Sequence, residues 1–323
     1  MMENEKDFHK NDKEFMNLVK KAKRKSILKN VIVSFIVTSL VLFGLYALGS
    51  FVMQAKINQK AQIDDAWNSL HGANIESQGT SYNYTPVSAI GTTTFVKKVA
   101  GVPVPWGKRE RMFTIIGTSR LLTTDGASGS GYIEDERIPI YFQGEREVEF
   151  YHPKVYYKNV FDDRQLLNEM NESTLVEFAF SFDRGYTLDE VQQVFKEHLA
   201  WYWVDTFSDE EIKDHSDQNK NKELARTDHT TIGSSAYGFL HYPEADTASN
   251  FISTLNWLKS DDGDYQQGAE ELYRNIAKGK SELKKEDLKI IGVVVTGSPS
   301  ELKKYNNQLM IKGATIGATT DKY

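Results

Sequence analysis

The chain has 323 residues, 40% of them hydrophobic, with a formal net charge of −6 and no cysteine. Without cysteine it has no disulfides, thiolate metal sites or lipid-modified cysteine anchor, so its folded part must hold together by core packing. The charge is uneven. Residues 1–30 hold nine of the 39 Lys/Arg and five of the 45 Asp/Glu, which leaves 30 basic and 40 acidic residues beyond them. That acidic balance argues against a surface for nucleic acid or anionic lipid in the larger part.

The first 30 residues read as a tail with a short amphipathic helix. Asn11 followed by Glu14 is a plausible helix start, and Phe15, Leu18, Val19 and Ala22 then fall at the i, i+3, i+4, i+7 spacing of one helical face. These four are the candidate partner-binding residues. Next comes "KKAKRKSILKN", whose six basic residues, Lys20, Lys21, Lys23, Arg24, Lys25 and Lys29, have no acidic neighbour.

Residues 31–53, "VIVSFIVTSLVLFGLYALGSFVM", carry no charge. As a helix, a run of this length reaches roughly 35 Å, enough for the roughly 30 Å hydrocarbon core of a bilayer. A cleaved signal peptide would have a shorter apolar stretch and a small-x-small cleavage site, for which "ALG" and "MQA" are poor candidates. The basic cluster before the run outweighs Lys56 and Lys60 after it, so the positive-inside rule places the N-terminus in the cytoplasm. No second apolar run of that length follows, so the expected topology is single-pass in the cell membrane with an extracellular C-terminal region. The basic flank is then an orientation signal that touches lipid headgroups.

The fold class expected is α+β: a single transmembrane helix followed by an extracellular region with a mainly β proximal part and an α/β distal domain. Residues 54–75 continue helically as a stalk, with Ile57, Ala61 and Leu70 near one stripe. Since there is no proline before Pro86, one rod can join tail, span and stalk. Residues 76–160 read as mainly sheet, from runs such as "TTTFVKKV", "RMFTII" and "REVEFYHPKVYY", with the most loop-like segment at 125–131. Residues 161–323 read as an α+β domain. A helical signal at "DDRQLLNEM" is followed by "TLVEFAFSF", whose alternation suggests a half-buried strand. Thr187 and Glu190 form a capping-box pattern ahead of Leu188, Val191, Val194, Phe195 and Leu199, and "AWYWVDT" reads as a strand. "NFISTLNWL" and "GAEELYRNIAKG" read as helices. "IIGVVVT", "SPSELKKYNNQL" and "MIKGATIGA" make a β-α-β arrangement, with Ser298 as cap and Pro299 at the first helical position.

The motif search yields no catalytic set. "TGSPSEL" lacks the lysine and glycine spacing of a phosphate loop and reads as a helix cap. Ser300-x-x-Lys303 and Ser281-x-x-Lys284 match a nucleophile pattern of penicillin-binding enzymes, but neither companion motif is present. The seven histidines show no ligand spacing, and "SDDGD" lacks the order of a calcium loop and reads as a solvated turn. Trp201 and Trp203 share one face of a strand. Core packing is the commoner use of such a pair, and an outer stacking platform for a sugar or peptide is the alternative. An enzyme, a cofactor and direct nucleic-acid binding are therefore not expected.

Two stretches, "FMNLVKKAKRKSILKNVIVSFIVTSLV" and the region from "VEFAFSFDRGYTLDEV" to "GVVVTGSPSELKKYNNQLMIKGATIGA", resemble the zinc-free, membrane-anchored anti-sigma factors of Gram-positive bacteria. The resemblance implies that the inner tail restrains an extracytoplasmic-function sigma factor, or docks on a second membrane regulator that completes the inhibitor. It implies that the extracellular domain senses or binds an envelope protein or ligand. A rival reading from another class is an anchored extracellular binding or immunity-type protein whose tail only sets topology. Deleting residues 1–19 while keeping Lys20 onward separates the two, since only the regulator would lose a transcriptional effect.

Overall fold

The computed structural model describes residues 2–124, 131–133, 136–221 and 228–322, with side chains of residues 2–14, 124 and 131–137 left out of the description. The loop expected at 125–131 therefore lies, but for the backbone of Gly131, outside the described residues. Helix α1 (Met2–Asn68) takes tail, apolar run and stalk in one unbroken stretch of 67 residues, about 100 Å at 1.5 Å per residue. Because it already runs at Met2, Asn11 sits inside the helix rather than at its cap. Among the described residues it is the one helix long and apolar enough to cross a membrane.

A four-stranded antiparallel meander follows: β1 (Ile75–Tyr84), β2 (Ser88–Val99), β3 (Val102–Thr114) and β4 (Ser119–Thr124). The β2–β3 turn is the pair Ala100 and Gly101, with φ of 49° and 87°. Left-handed backbone at both positions suits the twist of a two-residue hairpin, and Gly101 adopts it without strain. Sheet was also expected through 146–157, but only short pairs form there, such as Glu149–Phe150 against Thr231–Ile232. Pro153 lacks a ladder donor, and the neighbouring amides bond side chains instead, His152 N to Tyr157 Oη and Tyr151 N to Ser181 Oγ.

The C-terminal domain is built on five strands: β5 (Thr174–Tyr186), β6 (Leu199–Val204), β7 (Gly238–Leu240), β8 (Ile290–Gly297) and β9 (Ile311–Asp321). They lie in the order β7-β6-β8-β5-β9, and every neighbouring pair is antiparallel. Helix α2 (Leu188–Phe195) links β5 to β6, and α6 (Pro299–Leu302) links β8 to β9. In each unit the two joined strands point the same way with one strand of the other unit between them. These interlaced split β-α-β units form the topology of a ferredoxin-like fold, with β7 added at one edge. The expected β-α-β unit is thus present, but its strands are not neighbours because β5 lies between them. Helices α3 (Asp209–Lys220), α4 (Thr247–Ser260) and α5 (Gln266–Ala277) fall in the long connection from β6 to β8.

Strand β5 is buried on both faces rather than one. Phe178, Phe180 and Phe182 enter the large core with Val191, Phe195, Leu255 and Leu272, which also takes in Ile63 and Leu70 from the end of α1 and just beyond it. The opposite face holds Ala179, Trp201, Trp203, Ile291 and Val294, covered by Ala73, Val148 and Phe150.

Candidate signalling helix and its seat on the folded region

Phe15, Leu18, Val19 and Ala22 lie on α1 and are exposed, like every residue of the helix from Phe15 to Leu48. Lys20, Lys21, Lys23, Arg24, Lys25 and Lys29 are also exposed, and at 100° per residue they surround the helix rather than forming one stripe. From Phe15 to Leu48 the helix touches nothing that buries it.

At the other end the same helix is gripped. Met53 and Ile57 are buried with Ala89 and Phe113 of the meander, and Ile63 joins the core of the C-terminal domain. Polar contacts lie alongside. The Lys60 ammonium, itself buried, donates to the Asp264 carboxylate and holds it below its usual range. Asp64 faces Arg111 Nε of β3 at 3.3 Å and accepts from Tyr265 Oη at 3.0 Å. Burial pushes the Tyr265 hydroxyl up to about 12, so it remains a donor at neutral pH. Trp67 stacks on Tyr265 with ring centroids 4.8 Å apart and planes within 1° of parallel. A helix packed against the meander at Met53 and Ile57, and tied to the α4–α5 corner through Lys60, Asp64 and Trp67, resists rotation independent of either.

This seat was only partly legible in the sequence. Lys60 counted there only as a charge after the apolar run, and "SDDGD" as a solvated turn, yet Asp264 of that turn is the partner of Lys60. The signal that could have found it is periodic: Lys60 stands on the Met53, Ile57, Ile63 stripe, and a cation on an apolar stripe requires a counter-charge. The outer platform considered for Trp201 and Trp203 is absent. They are 1% and 0% exposed, with Phe150 at ring-centroid distances of 5.9 Å and 4.7 Å. The covering strand is far away in sequence and carries no pairing signal. Among the described residues no group of three or more His, Cys, Asp or Glu is placed to hold a metal ion.

No curated protein and no solved structure matches the chain. Residues 167–318 match the family described as sigma factor regulator C-terminal. The match begins in the short helical turn before β5, ends within β9, and contains Asp264 and Tyr265, the residues that seat α1. Within residues 167–318 the chain is therefore similar to the C-terminal domain of sigma factor regulators.

Proposed function

We propose that the chain is a single-pass membrane regulator of an extracytoplasmic-function sigma factor, with the tail in the cytoplasm and the family-matched domain outside. The tail face of Phe15, Leu18, Val19 and Ala22, flanked by the basic cluster, binds the sigma factor or a second membrane regulator. The outer part receives an envelope protein or ligand, and the chain performs no chemistry of its own. One observation carries this reading: the helix that displays the tail face is the same unbroken helix whose far end is locked into the regulator domain through Lys60, Asp64 and Trp67. A change in that domain therefore has a stiff element to act on, although coupling requires two states of the domain that bias two states of the tail.

The test separates tail from rod without disturbing the seat. A flexible Gly-Ser insertion of about ten residues between Lys29 and Asn30 leaves every contact of residues 49–70 in place and should abolish mechanical transmission. An insertion at 62–64 would instead tear Ile63 and Asp64 from their partners. The expected result is a tail that still retains its partner in a pull-down while a sigma-dependent reporter no longer responds to envelope stress. A reporter response equal to wild type removes the rod from the account. Protease added to intact cells should digest the C-terminal domain and spare the tail, and protection of that domain overturns the orientation.

A further inference from the structure

The β3–β4 hairpin tip of the meander lies against the part of α1 that belongs to the apolar run. A Cβ placed on Gly49 would come within 2.9 Å of the Ile115 carbonyl oxygen, and one on Gly117 within 3.1 Å of Val52. The β3–β4 tip thus sits at the level of residues 49–52. The β1–β2 tip is tied to it by the Ile115 amide, which donates to the Val87 carbonyl at 3.1 Å. Counted from Val31, residues 49–52 stand about 27–32 Å along the helix, where a hydrocarbon core of about 30 Å ends.

The chemistry of these tips suits that position. Ile116 is 80% exposed, Val87 58% and Tyr84 53%, although the meander has a core in which to bury apolar groups. No residue from 77 to 96 or from 113 to 119 is charged, and the charges of β2 and β3, from Lys97 to Arg111, stand further along the strands. Several polar groups of the turns are satisfied internally: Thr85 Oγ1 accepts from Ser88 N at 3.0 Å, and the hydroxyls of Thr114 and Thr118 lie 2.7 Å apart. Such a turn loses little when water leaves it.

We propose that the linked tips, carrying Tyr84, Val87 and Ile116, insert into the lipid surface beside the point where α1 leaves the bilayer. The inference rests on the span reading of α1. It makes the seat of the regulator domain a two-point attachment, with the meander as a wedge between helix and membrane surface. Val87 and Ile116 enter the acyl boundary, and Tyr84, whose hydroxyl donates to Gln54 Oε1 just past the apolar run at 3.3 Å, takes the interfacial level that suits an apolar ring with a polar tip.

The absence of cysteine allows single-site labelling of the full chain. Ile116→Cys, Val87→Cys, Val41→Cys in the span and Gln62→Cys, about 20 Å beyond Gly49 along the helix, are each labelled with bimane in phosphatidylcholine–phosphatidylglycerol vesicles. All four sites are exposed, so the substitutions leave the core untouched. At 87 and 116 the expected result is quenching by acyl-brominated lipid and iodide quenching at least about threefold weaker than at 62, a depth of about 5–10 Å. Iodide quenching at 87 and 116 equal to that at 62, with 41 shielded, overturns the inference and leaves the span standing. Shielding from iodide without quenching by brominated lipid assigns the tips to a protein surface and also overturns it. Iodide access at 41 overturns the span reading, and the inference falls with it.

Discussion

Lys97 Nζ lies 2.9 Å from Glu177 Oε2, and neither side chain reaches water. The pair joins β2 of the meander to β5 of the C-terminal domain, and Glu147 adds a second carboxylate 3.3 Å from the same ammonium. Glu177 is further held by Asn74 Nδ2 at 2.9 Å and the Ala318 amide at 3.1 Å, while Lys97 lies 4.0 Å from the centroid of the Trp106 ring. Meander and domain are therefore bolted by charge as well as by packing.

Removing the ammonium alone strands two buried carboxylates. Lys97→Met should destabilise the folded region by about 3–5 kcal/mol, whereas Lys97→Met combined with Glu147→Leu and Glu177→Leu should recover most of that stability. Urea unfolding of the full chain in detergent, followed by tryptophan fluorescence, measures both. A Lys97→Met midpoint equal to wild type would show that the ion pair contributes nothing.

Glu147 makes the same site pH-dependent. Burial raises its carboxyl above the ordinary range, with Glu177 adding to the effect and Lys97 opposing it, and its Oε2 has no hydrogen-bond partner. The folded state then binds a proton more readily than the unfolded one. Stability should rise as pH falls from above the raised folded value to the ordinary carboxyl range. Below that range the trend reverses as carboxylates held low by partners, such as Asp264 beside Lys60, take up protons. Unfolding midpoints across pH should show the first trend in the wild type and lose it in Glu147→Gln.

Trp203→Ala should cost about 3–5 kcal/mol, because it empties a fully enclosed site between Phe150 and His152. A surface platform would lose no more than about 0.5 kcal/mol. The denaturation midpoint decides between them.

On the tail, Phe15→Ala and Val19→Asp should leave the melting temperature unchanged, since neither residue packs on the folded region. They should weaken binding of the inner partner by about 1.5–3 kcal/mol for each apolar side chain withdrawn from the interface, read from a titrated pull-down. Unchanged retention of the partner by the double variant would favour the reading in which the tail only sets topology.

The sequence by itself determined much of what depends on near neighbours along the chain, though not the cap expected at Asn11 or the sheet expected through 146–157. The apolar run, its basic flank, the absence of helix breakers, the capping boxes at Thr187 and Ser298 and the hydrophobic periods of β5 and β8 are local signals, and local backbone physics reads them directly. What only the tertiary structure decided is pairing between distant residues. Nothing near "TLVEFAFSF" says that Phe150 and Val148 will cover its second face, or that β5 will separate the two strands of a β-α-β unit. Nothing near Lys60 names Asp264, 204 residues away. A charge or an apolar face announces that it needs a partner, but which partner it meets depends on how the chain closes its long loops, and that is a property of the whole fold.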